Sequence, residues 1–342
     1  MLRYVARKLL LAVPLVICIV TLIFTLVELS PGDISSKYIN PDMPPEVAQM
    51  IIDKYQLDRP AYVRYFAMMR NLAMFDFGNS MAEDVPVFEI ILRYLPNTIL
   101  LSFVTLLVAY PMGVLLGTIQ AVRQNQAIDT GVSVTSLLLY SMPSFWLALM
   151  LQLLFGIYWT GWLQGLVQAG SLSAASADFL SLPLSGMKDP ILYDMLSPGE
   201  QLLDRFKHLL LPGFAMGLAA AASSARYMRS SLLEVIRQDY IRTARAKGLP
   251  ERLVIIKHGL RNALLPIVTL LGLSLPYLFS GSVLVEMVFS WPGMGRMIVN
   301  AIYSQDTPLI IASFFIFTLL VVAGNLIADI LYAWVDPRIR LD

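Results

Sequence analysis

Six stretches of this chain are too long and too apolar to be folded in water. Residues 9–29 follow Arg3, Arg7 and Lys8 with 21 mostly apolar side chains. At about 1.5 Å of rise per residue, such a run matches a hydrocarbon core roughly 30 Å thick. Residues 98–122 and 130–159 contain no charge at all, 209–227 is a shorter run, and 263–289 and 309–335 each admit one acid, Glu286 and Asp329. In hydrocarbon every backbone N–H and C=O must be bonded within its own segment, which restricts spans of this kind to helices. The reading is an all-α polytopic membrane protein with six transmembrane helices. With 57% hydrophobic and 14% charged residues, the chain also lies far from a soluble domain. A cleaved signal peptide would be shorter and end at a small-residue site, whereas the first run continues through Glu28 into Ser30, Pro31, Gly32 and Asp33.

The charges sort by side. Of 25 basic residues, 15 fall before the first run, on Arg123, between residues 226 and 261, or after the last run; of 24 acids, 15 fall in 30–97, 161–207 and 290–308. By the positive-inside rule both termini are cytoplasmic. The divisions that follow are residues 1–29, a cytoplasmic N-terminus with the first span; residues 30–97, an external loop with amphipathic helices; and residues 98–342, a core of spans two to six. That core carries a second external loop at 161–207 and a basic cytoplasmic segment at 228–262. A net charge of +1, divided this way, points to no nucleic-acid partner. Cys18 is the single cysteine, and His208 and His258 are the only histidines, so neither a disulfide framework nor a His/Cys metal cluster is expected, and no cofactor.

Several spans carry helix-bending residues: Pro111, Gly113 and Gly117; Met142-Pro143; Pro212, Gly213 and Gly217; Pro266, Gly272, Pro276 and Gly281. Met142-Pro143 predicts a kink with freed carbonyls. Ser141, Met142, Pro143 and Ser144 are therefore a candidate lining for a translocation path, with a packing kink as the alternative. An ion-driven secondary transporter would need acids, lysines or histidines inside its spans. Glu28, Glu286 and Asp329 all lie near predicted ends, where snorkelling or capping accounts for them. Neither a phosphate-binding G-x-x-x-x-G-K-[ST] loop nor a zinc or Ser/His protease signature occurs, so the chain is not expected to be an enzyme or to hydrolyse ATP itself.

Residues 238–266 read QDYIRTARAKGLPERLVIIKHGLRNALLP. Nine Lys/Arg stand against three acids between residues 226 and 261. Residues 240–247 predict a short helix closed by Gly248 in a left-handed turn, with Pro250 opening the next helix. Small Ala244 and Ala246 would let another protein's backbone come close. The alternative is a basic loop that sets topology or touches anionic lipid.

The pattern R-T-A-R-A-K-G-L followed by H-G-L-R-N-A-L-L-P resembles the cytoplasmic loop of binding-protein-dependent ABC importer permeases, in the dipeptide/oligopeptide (DppB/OppB-like) branch. L-D-R-P in the first external segment, S-M-P-S-F-W-L-A-L in the third span and G-S-V-L-V-E-M-V-F-S-W-P-G-M-G-R-M after the fifth resemble the same branch. In that family an E-A-A-x3-G loop holds a coupling helix that sits in a groove on an ATP-hydrolysing subunit. Aligned on Gly248, its first three positions fall on Arg242, Thr243 and Ala244, of which only Ala244 matches, and the family's Leu-Pro pair falls late, at Leu265 and Pro266.

The resemblance implies the type I importer permease fold in a cytoplasmic (inner) membrane. It implies import of short peptides by alternating access, driven by separate ATPase subunits; the same branch also carries nickel, glutathione and oligosaccharides. The implied partners are a second homologous permease forming a heterodimer, two ATP-binding subunits, an extracytoplasmic solute-binding protein, and membrane lipid. Arg242, Thr243, Ala244, Arg245, Ala246, Lys247, Gly248 and Leu249 would form the ATPase-docking coupling helix and its turn. Trp291, Pro292 and Gly293 are a candidate outer gate, with a plain turn at an interfacial aromatic as the alternative.

Overall fold

The computed structural model describes residues 2–30, 44–55, 58–274, 276 and 282–335. Expectations placed on Pro31, Gly32 and Asp33, on Gly281, and on the charged C-terminal residues Asp336, Arg338 and Arg340 lie outside the described residues. Among those described, the fold is helical, with one isolated bridge between Asn79 and Pro86. The helices are α1 (Leu2–Glu28), α2 (Pro45–Tyr55), α3 (Ala61–Ala73), α4 (Val87–Val122) and α5 (Ala127–Ser141). They continue with α6 (Ser144–Gln168), α7 (Ala174–Leu180), α8 (Pro198–Ile236), α9 (Asp239–Ala246) and α10 (Glu251–Ala263). The last four are α11 (Leu265–Leu273), α12 (Val283–Val288), α13 (Met294–Tyr303) and α14 (Thr307–Val335). Five of the described helices are long and apolar enough to cross a membrane, and α10 with α11, bent by 41°, would make a sixth.

Three expectations change. The third run does not kink at Met142-Pro143 but breaks. Met142 is extended (φ −82°, ψ 132°), because a residue before proline is pushed out of the helical region, and a new helix begins at Ser144. The helix able to span there is thus α6, Ser144–Gln168. α5, at 15 residues, reaches only about 22 Å. The fifth run is likewise broken after Ala263 and again after Leu273. The segment at 290–308, read as a loop, contains α13. α8 extends well beyond its apolar run at both ends. Its start is a capping box in which the Glu200 carboxylate accepts from the Ser197 amide (2.9 Å) and hydroxyl (2.7 Å), with Pro198 at the first helical position.

The chain forms two compact units. The first gathers the described parts of Met1–Tyr94 with Met297–Leu326. In it α1 and α3 are joined by the Glu28–Arg64 ion pair and by a 2.7 Å hydrogen bond between the Thr21 and Tyr65 hydroxyls. Asp306, fully buried, accepts from the Ser80 hydroxyl, the Ala82 amide (3.3 Å) and the Leu309 amide (3.2 Å), so it caps α14 while holding the Ser80 turn. Phe77 stacks on Phe88 and packs against Phe315. Local packing thus accounts for Phe77 in the external segment.

The second unit gathers Leu95–Arg296 with the described part of Ile327–Ile339 and is organised on α8. Its most apolar window is 61% buried, against 17% for α1 and α6. The reason is a seam of small residues. A Cβ at Gly113 would stand 2.4 Å from the Ser224 Cβ, and one at Gly117 would stand 2.4 Å from the Ala225 carbonyl oxygen. Reciprocally, Gly213 and Gly217 of α8 receive Val104 and Val108 of α4, each within 2.7 Å of the position a Cβ would take. Two glycine pairs spaced by four, on facing helices, bring the backbones into contact where no hydrophobic drive between helices exists.

Gly117→Ala should therefore destabilise the detergent-solubilised protein by about 1–3 kcal/mol, the cost of forcing a methyl against backbone. Gly131→Ala, whose Cβ would meet nothing within 4 Å, should be neutral or stabilising. Thermal unfolding of the two variants checks this, and equal melting temperatures would contradict the seam.

Candidate functional site

The basic segment folds as a self-braced knob at the end of α8. Gln238, extended (φ −72°, ψ 150°), turns the chain from α8 into α9. α9 is strongly two-faced: Ile241 and Ala244 are buried with Val254 in a small core, against which Leu249 packs. Arg242, Thr243, Arg245, Ala246, Lys247 and Gly248 remain exposed. Ala244 is thus turned into the knob rather than outward, while Ala246 keeps the outward position expected of it. The one alanine that matches the family pattern packs the hairpin.

The turn behind α9 rests on Gly248. Its φ is +76°, a value that side-chain-bearing residues avoid, and a Cβ there would meet nothing within 4 Å. Backbone conformation alone therefore demands glycine. Across the turn Arg245 grips Glu251 with two bonds, Nε to Oε2 at 3.0 Å and Nη2 to Oε1 at 2.6 Å. Fork geometry of this kind fixes direction as well as distance. The Tyr240 hydroxyl accepts from Asn262 Nδ2 at 2.7 Å, tying the start of α9 to α10.

α10 carries a wide turn of π type at Val254–Gly259 and lies along the lower part of α8. Ile255, Ala263 and Ile267 share a core with Met228 and Leu232 of α8 and Ala121 of α4. The Ser231 hydroxyl donates to the Ala263 carbonyl at 3.0 Å. A Cβ at Gly259 would stand 3.3 Å from Leu232 Cδ1. On the same part of α8, Arg229 donates from Nε and Nη2 to the two carboxylate oxygens of Asp129, at 2.9 and 2.8 Å. The Asp129 side chain is only 5% exposed and also accepts from the Asn125 amide at 2.9 Å. The Arg229 guanidinium and that amide hold its carboxyl at a pKa of about 2.

The other two candidate groups lie elsewhere. Ser141 and Pro143 are exposed, Met142 and Ser144 half-buried, and the Ser141 hydroxyl donates to the Leu137 carbonyl of its own helix at 2.8 Å. Trp291 and Gly293 are buried, and Pro292 is partly so. They close over Glu286, which is fully buried on α12. Its carboxylate accepts from the Thr98 hydroxyl at 2.9 Å and the Arg296 amide at 3.0 Å, while Thr98 in turn accepts from the Met294 amide at 2.7 Å. Trp291 Nε1 donates to the Asn97 carbonyl at 3.0 Å, and Asn97 Nδ2 to the Pro292 carbonyl at 2.8 Å. A Cβ at Gly293 would stand 2.4 Å from the Glu286 carboxyl carbon, so the Trp-Pro-Gly sequence is shaped to this acid.

Glu286 therefore does not snorkel; it caps the first turn of α13, where amide donors and the helix dipole favour a carboxylate. Sequence reasoning left its partners Thr98 and Arg296 unnamed, and likewise the Asp129–Arg229 pair. A signal was present for Glu286, an acid in an otherwise uncharged run five residues before Trp291-Pro292-Gly293. Asp129 and Arg229, 100 residues apart, carried none.

Residues 113–341 match the family of the binding-protein-dependent transport system inner membrane component. The chain is 38% identical over 341 residues to the oligopeptide transport system permease protein AppB of Bacillus subtilis (strain 168), covering 99% of this chain and 100% of that protein. It is 37% identical over 358 residues to the di/tripeptide transport system permease protein DppB of Pseudomonas aeruginosa (strain UCBPP-PA14), covering 99% of each. To the glutathione transport system permease protein GsiC of Salmonella typhi it is 34% identical over 341 residues, again covering 99% of each.

Helices long and apolar enough to cross a membrane, joined to a basic, self-braced arm, are what a membrane permease requires. This chain belongs to the family of binding-protein-dependent transport system inner membrane components: it is a multi-pass inner-membrane permease component of the ABC importer class, with the type I permease fold. Membership implies partners that hydrolyse ATP and partners that bind solute.

Asp129 gives a pH test of the arm's surroundings. Its folded pKa, about 2, lies below the ordinary carboxylate value. The stability it contributes is therefore complete above about pH 4 and lost as pH falls towards 2, a total of roughly 2 kcal/mol. Melting temperatures measured from pH 5 to pH 2 should fall more steeply for the native chain than for Asp129→Asn; parallel curves would contradict the pairing.

Proposed function

We propose that this permease imports short peptides, working as one of two homologous permease subunits above two ATPase subunits and below an extracytoplasmic solute-binding protein. Support for the solute comes from relatives named for oligopeptides and for di- and tripeptides, aligned over nearly the whole of both chains. A second reading, glutathione, has the support of GsiC at somewhat lower identity. It differs in one chemical respect, a γ-linked rather than an α-linked first peptide bond.

The observation that carries the mechanical part is the knob itself. α9 and its C-cap residue Lys247 present Arg242, Thr243, Arg245, Ala246 and Lys247 outward on a hairpin already locked by its own core, by Gly248 and by the Arg245–Glu251 fork. A preformed knob loses little conformational freedom on docking. Movement of ATPase subunits on nucleotide binding would reach the spans through α10 and the end of α8, as a switch between discrete packings. Trp291, Pro292 and Gly293, closed over Glu286, would hold the outer end of such a switch. Ser141, Met142, Pro143 and Ser144, at the break between α5 and α6, would face the solute path.

Two outcomes test this. Gly248→Val places a β-branched side chain at positive φ, a local cost of about 1–2 kcal/mol or more. It should tilt α9 and cut co-purifying ATPase at least about tenfold with folded permease unchanged; undiminished assembly would contradict the docking role. In proteoliposomes holding the full complex, ATP-dependent uptake of a labelled tripeptide should be competed by unlabelled α-linked di- and tripeptides. Competition by glutathione alone would select the second reading.

A further inference from the structure

We infer that Asp129 and Arg229 form a positioning couple that makes the α4–α5 turn move with the coupling arm, so that ATP-driven motion reaches α5 as well as α8. The inference rests on the docking role proposed for α9. Its basis is where the pair sits. Met228 and Leu232 of α8 pack on Ile255 and Ala263 of α10, and Ser231 bonds the Ala263 carbonyl. Arg229 lies among these residues, yet its guanidinium leaves toward the other side and grips Asp129, in the first turn of α5. One stretch of helix, barely more than a turn long, thus holds the arm on one flank and the α4–α5 connection on the other.

The connection is itself made stiff. Asn125 stands at φ +63°, and its amide donates to Asp129 Oδ2, so the carboxylate organises the turn that it tethers. Beyond it, Gln120 of α4 donates to the Ser133 hydroxyl of α5 at 2.8 Å. Ion pairs taken out of water seldom add net stability over an apolar pair of equal shape, and in some proteins they instead fix one geometry against others. Two parallel charge-assisted bonds resist both rotation and sliding, as a transmission point requires. Elsewhere α8 and α5 meet at the Arg226 guanidinium, 4.9 Å over the Tyr140 ring, and around an open groove lined by small or apolar Ala221, Ala222, Leu218, Gly131 and Val132 with Thr135 and Ser136; neither contact supplies a two-bond fork.

The test uses the whole complex with partner permease, ATPases and binding protein in proteoliposomes, and reads solute moved per ATP hydrolysed. Arg229→Lys keeps the charge but loses the fork, and the double variant Asp129→Leu with Arg229→Met keeps a packed apolar pair without directional bonds. Both should co-purify with ATPase at native yield while the transport ratio falls at least about fivefold, the lower range of a coupling free energy between sites. A native ratio in either assembled variant overturns the inference. So does failure of both to assemble, which would make the pair a folding element only. If the native chain itself brings down no ATPase, the docking reading fails first and this inference falls with it.

Discussion

Within the larger unit, everything hangs on the contact between α4 and α8. Lipid tails are as apolar as the side chains they surround, so helices in a bilayer gain nothing by hiding leucine from one another; they gain by fitting closely. Gly113 and Gly117 let α4 approach until its backbone would exclude even a methyl, and Gly213 and Gly217 accept Val104 and Val108 in return. Having spent its small residues there, α8 becomes the enclosed helix of the unit. Its ends then serve other elements: Leu209 packs with Leu101 and Trp291 towards one end, and Met228 and Leu232 with α10 towards the other.

That placement explains why the arm is built as it is. A helix of eight residues has no stability of its own in water, so α9 survives by burying Ile241 and Ala244 against Val254 and by the Arg245–Glu251 fork. Arg245 apart, the outward residues take no part in that core or that fork. Polar groups near the spans follow the same economy: Glu286 is met by Thr98 and the first amides of α13, Asp129 by Arg229 and Asn125. Each buried carboxylate fixes a turn as well as satisfying itself.

Much of this was legible in the residues. Uncharged runs of about twenty residues located helices because a run that long satisfies its own backbone in hydrocarbon only as a helix, and Gly248 followed by Pro250 marked the hairpin because a positive φ and a fixed φ have few other uses. What escaped was set by partners distant in sequence. Met142-Pro143 gave notice of a disturbance but not of a full break, since a proline inside a span is tolerated or not according to what re-satisfies the freed carbonyls. The inward turn of Ala244 could not be seen because a small residue suits both a helix hairpin and a docking face. The four-residue spacing of glycines in the second and fourth runs was visible, but its meaning appeared only when the two runs were found face to face. Which solute passes, the spans do not encode in any residue type.

The central claim is that the outward face of α9 receives the ATPase subunits. The most direct measurement is cross-linking in native membranes, with Cys18 replaced by serine so that the introduced thiol is the only one in the chain. Lys247→Cys, at the C-terminal cap of α9, is compared with Met195→Cys, an 84% exposed position in the segment read as external. The account predicts a cross-link to an ATPase subunit from position 247, with a yield that changes on nucleotide binding, and none from position 195. Absence of any ATPase adduct at 247 in membranes where the complex transports would contradict it.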